Sequence, residues 1–285
     1  MSAILVTGAT GTVGSAVVSH LLARQGVKVV AAVRPGSVYP GPTGVEVRPV
    51  EFGAHRRDLE AVLDGIDRLF LMRPPAIANV RDQLFPLIDA ALARNIAQIV
   101  FLSLQGVQFN RSTPHHAVER YLRERRAPCT LLRPNFFMQN LSTIYADEIR
   151  RTDRIVVPAG RSRTAFIDAR DVGRVAAATF VEPGHVGKAY TLSGEHSLSY
   201  RKVAQIMSRV LGREIVYARP SETEYLARLA ARGASREYLD VQKMIYRIVR
   251  LNLSALPNRS VRKLTGTPAA TFAQFASDYR DVWTR

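Results

Sequence analysis

Cysteine is nearly absent from this chain, and so is any long apolar run. The 285 residues include a single cysteine, Cys129, so no disulfide can form within the chain. That usage fits a reducing compartment and predicts a cytoplasmic location. The chain has no apolar run of the roughly eighteen residues that a membrane helix needs, and no basic-then-apolar segment precedes Ile4. We therefore expect no membrane span, no signal peptide and no membrane partner.

Lysine is also scarce, although the chain is strongly basic. Forty Lys and Arg residues oppose 24 Asp and Glu, giving a formal net charge of +16, and only five of the cations are lysines. Such a balance favours anionic partners, including nucleic acid. The arginines, however, are spread along the whole chain, and no groove-reading motif occurs. We expect a solvated arginine-rich surface and no sequence-specific binding of nucleic acid.

Short apolar strands alternate with helical patterns in the first half of the chain. In the helical patterns the apolar residues recur at near-helical spacing. Pro114 suits a first helical position and Thr113 an N-cap, which predicts a helix over residues 114–125. Alternation of this kind predicts right-handed βαβ units on a doubly wound parallel α/β sheet. The predicted strands are Ile4–Thr7, Lys28–Val33, Val45–Val50, Arg68–Met72, Gln98–Ser103 and Cys129–Leu132.

After Pro134 the rhythm changes to a mostly helical pattern. We expect residues 1–135 to form the sheet core, and residues 136–285 a smaller helical lobe interleaved with it as one structural unit. Asp168 or Asp171 is expected to cap a helix that runs to Val181. The tail from Glu222 reads as helical. We expect breaks in this tail at Gly233, Pro257 and 266–268. The remaining predicted elements are helices 140–150 and 199–211 and strands 155–157 and 189–192.

The stretch ILVTGATGTVG places three glycines where the first strand passes into the first helix. The N–H groups at a helix start lack partners and the helix dipole is positive there, so the position suits a phosphate. Gly8 permits a tight turn, Gly11 lets a pyrophosphate approach bare backbone, and Gly14 lets the helix pack on the strand. The strand before and the helix after supply the context that the motif requires. The predicted phosphate-binding residues are Gly8, Thr10, Gly11, Thr12, Val13 and Gly14.

The second strand indicates which dinucleotide is bound. An NAD site usually carries Asp or Glu about 20 residues after the loop. Here that position is Arg34, and no acidic residue precedes Glu46. An arginine holds a 2′-phosphate that a carboxylate would repel, so we expect NADPH (NADP). The alternative is that Arg34 only caps a strand. Phe52, after the third strand, is expected beside the adenine.

TGATGTVG, the FLSLQG strand and LRPNFFMQN together resemble the NmrA-like branch of the atypical short-chain dehydrogenase/reductases, which includes quinone, isoflavone-type and ergot-alkaloid-type reductases. The resemblance runs from Ile4 to Leu211 and more loosely beyond. PHHAVE and LRPNFFMQN favour the alkaloid-reductase-like group. The family resemblance implies a Rossmann sheet, a small C-terminal substrate lobe and a cofactor that is usually NADPH. Some members of the family have lost catalysis and only sense the redox state of the nucleotide.

The chain departs from the parent superfamily at the catalytic pair, usually Tyr-x-x-x-Lys followed by a glutamate. Matching that glutamate to Glu119 puts His115 at the lysine place and Arg111 at the tyrosine place, so no tyrosine acid is present. By the resemblance, His115 holds the nicotinamide ribose or relays a proton near pH 7; the alternative is a hydrogen bond to Glu119. His116 points to another side of the helix. Ser103, at the end of the fifth predicted strand, lies near the place where the superfamily keeps a Ser or Thr. The alternative is that it is simply a serine at a strand end with no role in the site.

Several further residues are candidates. Met72, Arg73 and Pro74 follow the fourth strand, where a Rossmann fold places a loop over the cofactor, although Arg73 can equally be a solvated arginine. The resemblance puts the segment after the sixth strand by the nicotinamide, with plain core packing as the alternative. From that segment we expect two groups: Pro134, Asn135 and Phe136 at the cofactor, and Phe137 and Met138, with Gln105, in the substrate pocket.

No metal site is expected, because the histidines have no metal-like spacing and no Cys/His cluster exists. No Gly-x-Ser-x-Gly elbow occurs, which argues against hydrolase chemistry. Two functions remain open. The first is an NADPH-dependent reductase of a quinone, enone or iminium ion, acceptors that take hydride without a strong protein acid. The second is a nucleotide-sensing regulator without turnover. A homodimer is compatible with either function.

Overall fold

The structure, a computed structural model, describes residues 2–284. The strands and helices alternate through the first half as the sequence predicts. The strands are β1 Ser2–Val6, β2 Val27–Val33, β3 Glu46–Pro49, β4 Arg68–Met72, β5 Gln98–Leu102, β6 Cys129–Pro134, β7 Arg154–Ile155, β8 Arg163–Thr164, β9 Ala189–Leu192, β10 Leu198–Ser199 and β11 Val216–Tyr217. The helices are α1 Thr12–Leu22, α2 Arg56–Val62, α3 Val80–Gln83, α4 Phe85–Ala93, α5 Pro114–Glu124, α6 Ala146–Thr152, α7 Ala169–Val181, α8 Tyr200–Leu211, α9 Glu222–Ala231, α10 Arg236–Arg250, α11 Ser260–Thr265, α12 Phe272–Asp278 and α13 Arg280–Trp283.

The chain forms two compact units, and it passes between them several times. The first unit consists of Met1–Pro134, Ala169–Leu192 and Ser260–Thr267. The second consists of Asn135–Asp168, Ser193–Arg259 and Pro268–Arg285. The division at residue 135, and the expectation of a single structural unit, stay predictions.

The first unit is built on a parallel sheet that has seven strands within residues 2–284, in the order β3-β2-β1-β4-β5-β6-β9. The strand order reverses between β1 and β4, which is the switch point where open α/β sheets bind ligands. One core layer packs the sheet against α2, α4 and α5. On the other side α1 lies so close to α7 that a Cβ on Gly173 would come within 2.6 Å of the Ala16 backbone. This confirms the Rossmann-type sheet.

The second unit has its own core, formed mainly by α6, α8, α10 and α12 with α13. Trp283 is fully buried in it and donates its indole N–H to the Leu141 carbonyl at 2.8 Å. Two short two-stranded sheets, β8 with β10 and β7 with β11, complete the unit. No helix within residues 2–284 combines the length and the apolar character that crossing a membrane requires.

In the second half one predicted helix boundary is wrong and one predicted break is confirmed. The helix expected over 140–150 begins only at Ala146, because the hydroxyls of Ser142 and Thr143 both donate to the Gln139 carbonyl, at 3.2 and 2.7 Å. Such bonds hold the preceding segment in a turn that competes with the helix. The break expected at Pro257 is confirmed: it extends from the end of α10 at Arg250, past Asn252 with a left-handed φ of 55°, to the start of α11 at Ser260.

The cap of α7 and several small elements also differ from expectation. The helix begins at Ala169, so Asp171 lies inside its first turn and cannot cap it, whereas Asp168 directly precedes it. Strand 155–157 is shorter than expected and is Arg154–Ile155. The two-residue strands β8, β10 and β11 were not predicted, because two residues are too few to show the alternation of apolar and polar side chains that indicates a strand. By contrast, the Thr113 hydroxyl accepts the His116 N–H, which confirms the predicted N-cap of α5.

Candidate cofactor and active site

The carboxyl ends of β1, β4, β5 and β6 meet at one edge of the first unit, because the strands are parallel and adjacent. The loops that follow them carry most of the candidate residues. Thr7 ties two of these loops together. Its hydroxyl donates to the Phe70 carbonyl and accepts the Met72 N–H, both at 2.9 Å. Thr7 was not predicted as a site residue, although a threonine ending an apolar strand was visible.

The glycine loop is shaped by the missing side chains. Gly8 is left-handed, with φ 64°, and a Cβ there would lie 2.0 Å from the Met72 sulfur. A Cβ on Gly14 would lie 2.0 Å from the Gly8 carbonyl oxygen. The Gly11 N–H closes the turn on the same oxygen at 2.9 Å. Gly8 and Gly14 are therefore required by the turn itself and by the close approach of α1 to it.

The start of α1 is left open. Gly11 is its N-cap, no side chain of residues 2–284 caps it, and its first turn carries no acidic residue. Thr10 and Thr12 are exposed beside it, whereas Val13 is buried under it. Free N–H groups, a positive helix end and two hydroxyls suit a phosphate, so the residues fit a dinucleotide.

Arg34 and Phe52 lie at the ends of neighbouring strands. Arg34 follows β2 and is exposed, and its side chain makes no hydrogen bond or ion pair with any residue from 2 to 284. It is thus free to meet an anion. Phe52, after β3, is half-buried and packs against the first unit's core. Their roles toward a 2′-phosphate and an adenine stay predictions.

The loop after β4 is held by its own arginine. The Arg73 guanidinium donates to the carbonyls of Pro74, Pro75 and Ile77 at 3.1, 3.0 and 2.6 Å, and burial lowers its pKa. Arg73 is therefore not a solvated arginine; its visible contacts brace the loop. Pro74 is half-buried in that loop.

The ends of β5 and β6 carry a closed polar network. The Ser103 hydroxyl donates to Glu119 Oε1 at 2.6 Å. Arg133 grips the same carboxylate in a bidentate pair, from Nε to Oε1 at 2.9 Å and from Nη2 to Oε2 at 2.6 Å. Glu119 is buried, with only 3% of its side chain exposed. The Ser103 proton is thus directed at a carboxylate.

Arg133 was missed by the sequence analysis, although a signal existed. It lies between Leu132 and Pro134 at the end of a buried strand, and a charge in such a place needs a partner. The acidic partner, Glu119, lies on the buried side of α5 beside Val118 and Leu122. A charged residue at the end of an apolar strand and an acid among apolar helix positions together predict a buried pair.

His115 lies in the first turn of α5 and makes no hydrogen bond to Glu119, whose two oxygens are engaged by Ser103 and Arg133. This excludes the alternative in which the histidine serves to bond that carboxylate. Burial, with help from the Arg73 charge, lowers the pKa of His115 to about 4. The ring is therefore neutral near pH 7, and the proton relay at that pH expected from its ordinary pKa does not fit. A hydrogen bond to a ribose stays a prediction.

Arg111, at the place of the superfamily tyrosine, is exposed and lies three residues before α5 begins. Gln105 is half-buried, and its backbone N–H donates to the Pro134 carbonyl at 2.9 Å, which joins the loops after β5 and β6. Between these residues a short turn, Val107–Phe109, projects an aromatic ring. Phe109 is 86% exposed, whereas Val107 is buried and anchors the turn. Phe109 was not predicted as a site residue.

The remaining candidates belong to the second unit. The Asn135 amide donates to the Ser254 carbonyl at 2.9 Å and accepts the Phe136 N–H at 2.8 Å, so both its ends are engaged there. Phe137 is half-buried and bridges to Ile167. Met138 is 2% exposed within the second core. The contacts of Met138 are those of core packing, and its place in a substrate pocket stays a prediction.

Residues 2–284 contain no cluster of three or more His, Cys, Asp or Glu side chains placed to hold a metal ion. The parallel sheet, its switch point and the open glycine loop define a Rossmann-type nucleotide-binding protein. The profile of the NmrA-like family matches residues 1–249. The chain belongs to this family.

Three known proteins show how far the likeness extends. An NAD(P)H azoreductase of Xenophilus azovorans is 31% identical over 283 residues, which cover 96% of each chain. An agroclavine dehydrogenase of Claviceps fusiformis is 30% identical over 78% of this chain and 77% of its own. The structure of the NADPH-dependent quinone oxidoreductase QOR2 of Escherichia coli, complexed with NADPH, matches with a TM-score of 0.84 at 25% identity, over 98% of this chain and 99% of that one.

Proposed function

We propose that this protein is an oxidoreductase that uses NADPH to reduce a conjugated or cyclic organic acceptor: a quinone, an enone or an iminium ion. The observation that carries the acceptor class is the closed network at the ends of β5 and β6. There the Ser103 proton is directed at Glu119, which Arg133 also holds. A reaction that needs no acid from this network fits the site.

The cofactor part of the proposal rests on the first unit. The open start of α1, with Gly11, Thr10 and Thr12, would hold the pyrophosphate, and the free Arg34 would hold a 2′-phosphate. When bound, the nicotinamide supplies hydride. The protein's tasks are to orient the cofactor and to exclude water from the reacting groups.

The acceptor class follows from the groups that cannot donate a proton. His115 is neutral near pH 7, with its pKa lowered to about 4 by burial, and Arg111 lies outside the helix. An iminium ion needs no proton when it gains hydride. A quinone or an enone becomes an anion that water can protonate after hydride has been added. A simple ketone would need an acid while the hydride transfers.

Phe109 supports a flat acceptor. Its ring is exposed on a loop at the carboxyl edge of the sheet, and the buried Val107 holds the turn that presents it. Flat conjugated molecules stack on such rings. The names of the relatives, an azoreductase and a quinone oxidoreductase, agree with acceptors of this kind.

The second candidate, a sensor that binds NADP(H) without turnover, is favoured by the same lack of a tyrosine acid. To separate the two, NADPH binding is measured by calorimetry, and oxidation of NADPH is then followed with naphthoquinone, a cyclic enone, an iminium salt and a simple ketone. We expect turnover with at least one of the first three and none with the ketone. Tight NADPH binding without turnover of any acceptor would establish the sensor, and preferred turnover of the ketone would contradict the role given to the network.

A matched pair of variants tests the acceptor face. Phe109 and Val38 are each 86% exposed in the first unit. We expect Phe109→Ala to raise the KM for the quinone several-fold with unchanged affinity for NADPH, and Val38→Ala to change neither. Equal behaviour of the two variants would remove Phe109 from the acceptor face. The cytoplasmic location and the possible homodimer stay predictions.

A further inference from the structure

Helix α10 and the segment after it carry two apolar faces. One face, with Tyr246 and Val249, is buried in the core of the second unit, and the buried polar Gln242 lies one turn before Tyr246. The other points outward: on the helix it carries Val241 and Met244, whose three-residue spacing keeps side chains on one side, and three leucines follow after the helix ends. We call this exposed face the apolar stripe; it consists of Val241, Met244, Leu251, Leu253 and Leu256.

The leucines of the apolar stripe are exposed on an anchored piece of chain. Leu251, Leu253 and Leu256 are 61%, 59% and 73% exposed. Between them Ser254 is buried, and its carbonyl accepts the Asn135 amide at 2.9 Å and the Ala165 N–H at 2.8 Å. The segment therefore presents its leucines in a fixed arrangement. Clusters of exposed leucines on a fixed scaffold are typical of contact surfaces.

The charges that lead to the leucines of the apolar stripe are positive. The acidic residues of α10, Glu237 and Asp240, lie in its first half, whereas Lys243, Arg247 and Arg250 lie in the half that leads to the leucines. Arg250 pairs with Glu222. Neither Lys243 nor Arg247 forms an ion pair with any residue from 2 to 284. Lys243 and Arg247 thus leave two unneutralised cations on the side of the helix end that leads to the leucines, whereas Glu237 and Asp240 lie one turn before Val241 and Met244.

We propose that the apolar stripe is a docking surface for an anionic phospholipid bilayer. Leucines that enter the acyl boundary, combined with cations that meet the headgroups, are the two signals that stable surface binding requires. A second copy of the chain is the less suitable occupant. It would bring the Lys243 and Arg247 cations beside its own leucines against those of the first copy, in a protein of net charge +16.

This surface changes the expectation that the protein has no membrane partner. That expectation rested on the lack of a long apolar run, which tests spanning and not surface binding. The proposal is independent of the proposed enzymatic function, because it concerns binding alone and stands whether or not the protein turns over an acceptor.

The test is cosedimentation of the full-length protein with vesicles of phosphatidylcholine, and with vesicles containing about one third phosphatidylglycerol, at about 150 mM salt. We expect binding to the anionic vesicles only, and at least a tenfold loss of binding in the double variant Leu251→Asp/Leu256→Asp. The control is Val38→Asp, an apolar position in the first unit that is 86% exposed, more than either leucine. In a second readout, the emission of a Leu256→Trp variant shifts to the blue on anionic vesicles, whereas the buried Trp283 does not respond.

Three outcomes overturn the proposal. Wild-type protein that ignores anionic vesicles has no such surface. Equal binding by wild type and by the double leucine variant shows that the net charge alone attracts lipid. If light scattering shows a dimer for wild type and a monomer for the leucine variant, the apolar stripe is an interface between copies. Thermal melting of each variant verifies that the fold is retained.

Discussion

The carboxyl edge of the sheet contains two regions that are built in opposite ways. After β1, the loop is shaped by absent side chains: a Cβ on Gly14 would meet the Gly8 carbonyl at 2.0 Å, and the start of α1 stays uncapped within the described chain. After β5 and β6, side chains close on one another, as Glu119 accepts from both Ser103 and Arg133. In the first region the hydrogen-bond donors stay available for a ligand, whereas in the second region they bond to other side chains of the protein.

In the proposed function, this difference separates cofactor binding from the chemistry of reduction. A region of bare backbone recognises a phosphate by its shape and by the helix dipole. This recognition does not depend on which acceptor the cofactor reduces. A region of satisfied side chains contributes stability and a dry wall, but no proton donor. Variants at Arg133, Gly14, Arg34 and His115, each with a matched control, test the comparison, and the Arg133 variant is expected to have the largest effect.

Arg133→Met is expected to destabilise the protein by about 3–5 kcal/mol, because it leaves the Glu119 carboxylate buried without its cation. Unfolding in urea measures the loss. The surface variant Arg94→Met, which removes an exposed pair with Asp64, serves as the control and should cost about 0–1 kcal/mol. The double variant Arg133→Met/Glu119→Leu is expected to regain much of the stability. Losses of equal size for Arg133 and Arg94 would show that the network is not closed.

Gly14→Ala is expected to cost about 3 kcal/mol of stability, because its Cβ collides with backbone that cannot move aside. Gly11 is the matched position, since its Cβ would lie 3.3 Å from the same oxygen. We expect Gly11→Ala to fold nearly normally while binding NADPH more weakly, since the methyl group blocks close approach. Melting temperature and calorimetry separate the two effects. Full NADPH affinity in Gly11→Ala would place the pyrophosphate elsewhere.

Arg34→Asp is expected to lower NADPH affinity by about 10- to 100-fold, or about 1.5–3 kcal/mol, with little effect on NADH. The stability should be unchanged, since the side chain is exposed and bonds to nothing from residue 2 to 284. Arg111→Asp removes another exposed arginine and controls for the general loss of positive charge. Equal binding of NADH and NADPH by wild type would refute the role of Arg34.

His115 gives the smallest expected effect, and it appears as a pH dependence. Its folded pKa, about 4, lies below the ordinary value near 6.5, so the unfolded chain binds more protons between these pH values. Stability should therefore fall as the pH is lowered, by about 2 kcal/mol from pH 7 to pH 5. His115→Ala removes this loss, and His116→Ala should retain it. Urea midpoints at both pH values decide; identical curves for wild type and His115→Ala would contradict the buried neutral ring.

The sequence predicted the first region far better than the second. The glycines of ILVTGATGTVG indicate the geometry of the loop, because few other residues tolerate such a tight turn and such a close approach of the helix to it. The βαβ periodicity places this loop at the edge of the sheet. The polar network depends on Ser103, Glu119 and Arg133, which are distant in sequence and meet only through strand register. Likewise, no local pattern reveals that burial suppresses the pKa of His115.

The second unit was predicted least well, because short-range bonds and turns set its boundaries. Ser142 and Thr143 hold a turn where helical spacing suggested a helix. The caps of α9 and α12 were readable, since Ser221 with Glu224 and Thr271 with Gln274 form capping boxes. A search for such boxes would have placed these helix starts in the tail.

The repeated passage of the chain between its two units has a consequence for the evolution of such proteins by recombination. The chain changes unit after residues 134, 168, 192, 259 and 267, so neither unit is one continuous stretch. A single recombination event cannot exchange one unit for that of another gene without also cutting the second. Within a lineage of such proteins, one unit can therefore change by itself through substitution and loop change inside an intact chain, while the glycine loop is carried along with every variant.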